Sequence, residues 1–232
     1  MQTLEQIGVA AAVVNGTIDS DWEAVARLAR DHPWVIPSYG VHPWRIKERA
    51  ENWEDLLRSR LDEGGAVGEI GLDRWKEGYD LPDQQAVFRA QLRLAAGRNR
   101  VATIHCLRAW GSLWDILRTE PVPERGFLLH AYGGPVEMVE AFAGRGAYFS
   151  FNASFLAAHR HRKRETFLEI PLDRLLVETD APAMPLPPEL ARYPLPNTPE
   201  GEPVNHPGNI EPAYEGIAKL RGMRMVKLKP II

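Results

Sequence analysis

A chain of 232 residues with 44% hydrophobic and 25% charged side chains has the composition of one well-packed domain, which excludes a fibrous or disordered polypeptide. Its net charge of -3 gives no bulk attraction to polyanions or acidic membranes, so any phosphate recognition must come from a local group of residues. A single cysteine, Cys106, rules out an intrachain disulfide, no apolar run reaches the ~18 residues of a membrane span, and the opening residues lack a basic segment followed by an apolar one, so a cytoplasmic, membrane-free setting is expected.

Short apolar runs alternate with longer amphipathic ones. Strands are predicted at Ile7 to Val14, Val35 to Val41, Ala66 to Leu72, Val101 to Cys106, Gly126 to Ala131, Gly146 to Phe151 and Arg174 to Thr179. Helical spacing predicts helices at Asp21 to Arg30, Trp53 to Asp62, Asp83 to Ala96, Gly111 to Arg118, Pro135 to Ala143, His161 to Glu169 and Pro212 to Leu220. The Pro-rich stretch from Pro182 to Pro199 reads as a long loop of one domain covering residues 1–232.

Strands that are apolar on both faces and separated by single helices indicate a parallel sheet. No Gly-rich phosphate loop follows the first strand, and polar residues gather at many strand ends instead of at one crossover. The pattern therefore predicts a barrel over an open sheet. Seven strands are legible where closure takes eight.

Four of those polar residues share a chemistry. Glu69 lies in Ala66-Val-Gly-Glu-Ile-Gly-Leu-Asp73, His105 in Val101-Ala-Thr-Ile-His-Cys106, His130 in Gly126-Phe-Leu-Leu-His-Ala131, and Asp180 closes Leu175-Leu-Val-Glu-Thr-Asp180. Taken singly, they read as a core ion pair, two hydrogen-bonded core histidines and a turn residue. Taken together, two imidazoles and two carboxylates at four strand ends predict a divalent-cation site.

The same strings, together with Gly40-Val-His-Pro43, Leu175-Leu-Val-Glu-Thr-Asp-Ala-Pro182 and Pro171-Leu-Asp-Arg174, resemble the TatD family of metal-dependent hydrolases over nearly the whole chain. The resemblance implies a (β/α)8 TIM barrel that hydrolyses phosphodiesters, DNA among them, with one or two divalent ions of Mg, Mn or Zn. It assigns Glu69, His105, His130 and Asp180 as metal ligands, with Glu69 and Asp180 also catalytic and Asp180 helping to activate water. His42 and Arg74 become substrate-phosphate contacts. Family members open on a strand bearing Asp-x-His-x-His, and this chain opens on Met1-Gln-Thr-Leu-Glu-Gln-Ile7 instead. Two alternatives stay open: an amide or ester hydrolase of the same barrel superfamily, and a truncated, catalytically impaired barrel.

The remaining residues have less specific readings. His42 is either a phosphate contact or a turn histidine beside Pro43, and Arg74, like Asp73 on the same rim, either serves phosphate or forms a rim ion pair. Glu178 is expected one layer below Asp180 as support. His159-Arg-His-Arg-Lys-Arg164 reads as a solvated helix face ahead of a polyanion-steering patch, and Asn205 falls in the late loop with no role assigned. The seven tryptophans show no spaced stacking array.

Overall fold

The structure is a computed structural model describing residues 2–78 and 80–228, and strands alternate with helices along nearly all of it. The strands are β1 Ala12–Asn15, β2 Val35–Tyr39, β3 Ala66–Asp73, β4 Ala102–Leu107, β5 Phe127–Leu129, β6 Ala147–Asn152 and β7 Leu175–Glu178. The helices are α1 Gln2–Gln6, α2 Trp22–Asp31, α3 Trp53–Glu63, α4 Leu81–Gly97, α5 Trp110–Leu117, α6 Val139–Gly144, α7 His161–Glu169, α8 Ile210–Leu220 and α9 Met225–Leu228. Each strand pairs with its neighbour in chain order within β1 to β5 and within β6 and β7, as expected of a β/α repeat.

Internal packing divides the chain into two compact units. The first comprises Ala10–Leu129 and Ala141–Ala147. In it β1, β2, β3, β4 and β5 pair in parallel, each with the next. Its helices form where sequence periodicity demands: Trp53, Leu57 and Leu61 of α3 recur every four residues and are buried. Full burial of a leucine such as Leu57 contributes about 1.5–3 kcal/mol. Glu54 and Asp55 in the first turn of α3 and Arg60 in the last suit the helix dipole.

The longest helix, α4, starts with Pro82 in its first turn and buries Val87, Phe88, Leu92 and Ala95. On that buried side it also carries two glutamines, Gln84 and Gln91. Each brackets one residue of the framework. Gln84 accepts the Asp73 N–H (2.7 Å) and donates to the Asp73 carbonyl (2.9 Å), while Gln91 does the same for Val41 at 2.7 and 3.2 Å.

The second unit comprises the described residues of 1–9, 130–140 and 148–228, and in it most of β6 pairs with β7 in parallel. Phe151, Phe155 and Phe167 form its aromatic core, with Phe151 edge-on to both others at 5.9 and 5.1 Å. Edge-to-face packing of this kind adds to the burial of each ring.

The first strand departs from expectation. It begins at Ala12, not Ile7, because Gly8 (φ +75°) ends α1 in a left-handed turn with Val9 N–H on the Leu4 carbonyl. The fifth strand is also shorter than predicted. It stops at Leu129 because Ala131 takes a positive φ of 42° and gives its N–H to Ser150 Oγ.

Candidate metal centre

In the first unit, β2, β3 and β4 bring three side chains together. Among the described residues, His42, Glu69 and His105 each offer a ligand atom, and these atoms lie within 4.8 Å of one another. Glu69 sits where the β3–β4 register shifts between Val67 and Ile70, an irregularity of the kind that re-aims a side chain. Its N–H is taken by the Gly16 carbonyl at 3.0 Å, outside the β3–β4 ladder. Two residues on, Gly71 has φ +143°, and a Cβ there would fall 2.0 Å from the His105 carbonyl oxygen. Only glycine lets β3 approach β4 so closely at the residue paired with His105.

Both imidazoles turn toward Glu69, with His105 Nδ1 3.1 Å and His42 Nε2 3.4 Å from Glu69 Oε1. Their other nitrogens face opposite kinds of group. His42 Nδ1 accepts the backbone N–H of Trp44 (3.1 Å), so in the neutral ring the proton is on Nε2. His105 Nε2 lies 2.8 Å from Asp73 Oδ2, a carboxylate that can only accept, so in the neutral ring the proton is on Nε2 and the lone pair on Nδ1 faces Glu69. A histidine ligand held by a carboxylate on its far nitrogen is the usual arrangement at protein metal sites. The His105 Nδ1 lone pair and a mostly enclosed carboxylate make a pair of donors that fits a divalent cation, with the His42 N–H turned to the same carboxylate.

Asp73, at the end of β3, is 2% exposed. Its Oδ1 accepts the N–H groups of Trp75 (2.7 Å) and Lys76 (3.1 Å). Burial pushes the Asp73 carboxyl up, but hydrogen bonds from His105 and from Lys76 and Trp75 outweigh it and hold the carboxyl below its ordinary value. Arg74 is exposed, with its N–H on the Leu107 carbonyl. Cys106 is buried, which pushes its thiol well up and leaves it a small apolar packing group.

Around this cluster stand Trp44, 5.1 Å from the His42 ring, and Trp75, 6.4 Å from the Trp44 ring and 52% exposed. Lys76 Nζ lies 5.0 Å above Trp44. These aromatics lie 31 residues apart in sequence, so sequence spacing could not reveal them as neighbours.

In the second unit, His130 follows β5 directly, and its Nδ1 lies 3.5 Å from Glu178 Oε1 on β7. Ser150 Oγ hydrogen-bonds the other oxygen of Glu178, in keeping with a supporting role for that carboxylate. Asp180 stands two residues past β7 at a positive φ of 54°, a conformation Asp tolerates better than most residues. The loop around it is stapled by Asn205, which is 2% exposed. Its Nδ2 donates to the Thr179 carbonyl (2.8 Å), and its N–H to that of Pro182 (2.9 Å). Asn205 was visible only as a polar residue in a Pro-rich loop, and Gln84 and Gln91 only as two polar residues seven apart on the apolar side of α4.

A parallel β/α chain whose strand ends carry this donor set is built as a metal-dependent hydrolase. The chain belongs to the TatD-related DNase family, whose sequence model matches residues 1–232. It is 32% identical over 223 residues to the 3'-5' ssDNA/RNA exonuclease TatD of Erwinia tasmaniensis, covering 94% of this chain and 83% of that one. It is 28% identical over 190 residues to the uncharacterized metal-dependent hydrolase YjjV of Escherichia coli K12, covering 80% and 73%. The crystal structure of YjjV superposes with a TM-score of 0.87 at 25% identity, over 99% of this chain and 86% of that one. No helix among the described residues is long and apolar enough to cross a membrane.

Proposed function

We propose that this chain hydrolyses phosphodiester bonds in nucleic acid, using one or two divalent ions of Mg, Mn or Zn. The observation that carries the reading is the opposed orientation of two imidazoles about Glu69. His105 presents a lone pair beside a carboxylate, and His42 presents an N–H. Glu69 and His105 act as cation ligands, and His42 donates its Nε2 proton to a substrate phosphate oxygen. For His130 and Asp180 the ligand role rests on family resemblance and on the place of each just beyond its own strand. For His130 it is further supported by the carboxylate of Glu178 facing its Nδ1. Arg74, exposed beside Asp73, is available to a phosphate further along the substrate. Residues 1–232 form one domain in this reading, and a cytoplasmic setting agrees with a lone, buried, unpaired Cys106.

A divalent cation held by Glu69 and His105 would lower the pKa of water and offset phosphate charge. The chain's own groups do the rest. Asp73 holds the proton on His105 Nε2, and the Trp44 N–H holds His42 with its Nε2 proton toward Glu69 and the incoming phosphate. Water oxygen bonds to phosphorus as the P–O bond to the leaving nucleoside oxygen breaks. The role of proton acceptor from water falls to Asp180 by family resemblance, and the leaving oxygen is protonated from solvent.

The test is release of label from a 3'-fluorescent single-stranded oligonucleotide by protein stripped with chelator and reloaded with manganese or magnesium. The reading expects cleavage that needs the metal and is lost in Glu69→Gln and Asp180→Asn. Cleavage of equal rate in chelator, or retained in both variants, contradicts it.

A further inference from the structure

The basic run 159–164 does not behave throughout as the solvated helix face its charge suggests. His159, His161 and Arg162 are exposed, but Arg160, Lys163 and Arg164 are partly buried. Arg164 is consumed structurally, donating to the carbonyls of Phe155 (2.8 Å) and Ala157 (2.7 Å). Lys163 and Arg160 are not. Lys163 Nζ lies 5.0 Å and Arg160 Cζ 5.9 Å from the Phe155 ring, and among the described residues neither has a carboxylate in ion-pair reach. Arg160 donates to two neutral side chains, the Ser154 hydroxyl (3.1 Å) and His159 Nε2 (3.4 Å).

Burial and the neighbouring Arg160 charge both push the Lys163 ammonium below its ordinary value. Two cations drawn partly out of water toward one ring, with no counter-charge, cost stability that an aromatic face offsets only in part. The ammonium also lies against backbone with no side chain to block it. A Cβ added at Gly133, three residues past His130, would sit 2.7 Å from Nζ.

We infer that Lys163 and Arg160, with the Gly133 backbone beside the Lys163 ammonium, form a subsite for a phosphate of a polynucleotide backbone, separate from the phosphate undergoing hydrolysis. The cations are unneutralised because the substrate supplies the anion, and Gly133 leaves room for the Lys163 ammonium to lie against the backbone. The inference rests on the phosphodiesterase reading for its substrate and on the second unit alone for its geometry.

The experiment measures binding of a fluorescent oligothymidylate with hydrolysis-resistant phosphorothioate linkages to manganese-loaded protein, at several salt concentrations. Lys163→Gln and Arg160→Gln are expected to weaken binding several-fold, each lowering the slope of log affinity against log salt by about 0.7. Lys163→Arg should bind as wild type does. Gly133→Ala should bind more weakly at unchanged net charge, because it displaces the ammonium. Thermal unfolding of each variant separates a lost contact from a lost fold. Wild-type affinity and slope in both glutamine variants would overturn the subsite. Hydrolysis of bis(p-nitrophenyl) phosphate by wild type reports on the phosphodiesterase reading separately, so failure of one is not mistaken for failure of the other.

Discussion

His105 Nε2 and Asp73 Oδ2 are 2.8 Å apart, and the Asp73 side chain is wholly buried. The pairing fixes which imidazole nitrogen meets Glu69, and in the proposed reading it would let the carboxylate act on a cation it does not touch. Asp73→Asn keeps the shape but lets an amide N–H face Nε2, removing the bias toward the Nε2 proton. Cation affinity of the stripped protein, measured by competition with a fluorescent chelator, should fall roughly 10–100-fold, while Asp73→Glu should recover part of it. Wild-type affinity in Asp73→Asn would count against the arrangement.

Gln91 and Gln84 reach from one helix to the backbone of Val41, just before His42, and of Asp73. Gln91→Leu strands both polar groups of Val41, at about 1–3 kcal/mol for each unmet group. Because the Val41 backbone carries His42, a larger loss in kcat than that of an equally destabilised variant remote from the site is expected. Urea unfolding run beside kinetics on the oligonucleotide checks both parts.

Gly71→Ala is expected to be among the most damaging small substitutions. The backbone conformation alone costs a non-glycine residue about 1–3 kcal/mol. The added methyl must also displace the His105 carbonyl from 2.0 Å. Chemical denaturation should show the loss, and the variant should bind cation poorly even where it folds.

Glu120 gives the molecule an acid-sensitive clamp. Hydrogen bonds from Arg93 and Arg89 hold its carboxyl below the ordinary value despite burial, accepting Arg93 Nε and Arg89 Nη1 at 2.7 Å each. A carboxyl depressed by folding contributes stability that is fully present above its unfolded value of ~4.3 and is lost as pH falls through the folded value. Glu120→Gln should therefore lose less stability than wild type between about pH 4.3 and lower pH, read by thermal unfolding across that range. Parallel curves would show that the clamp contributes nothing.

The repeating architecture was legible because buried strands and amphipathic helices carry different periods, and α7 begins and ends at the residues its spacing predicts. Legibility failed where a single backbone conformation decided the outcome, as at Gly8 before β1 and Ala131 after β5. Glu69 and His105 were readable because a charge or imidazole inside an apolar strand is anomalous on its face. The support of Asp73 was not readable because its backbone is held by Gln84, eleven residues on and in another element. The Trp44–Trp75 contact and the inward turn of Lys163 likewise arise from tertiary proximity, which no spacing rule reaches.

The central claim is that a cation sits between His105 Nδ1 and Glu69 Oε1 while Asp73 keeps His105 Nε2. Anomalous diffraction at the manganese edge, from crystals of stripped protein soaked in that metal, tests it most directly. The account predicts a peak bonded to both atoms, with the Asp73–His105 hydrogen bond intact. A peak elsewhere, or none beside His105 at a metal concentration that supports cleavage, would contradict it.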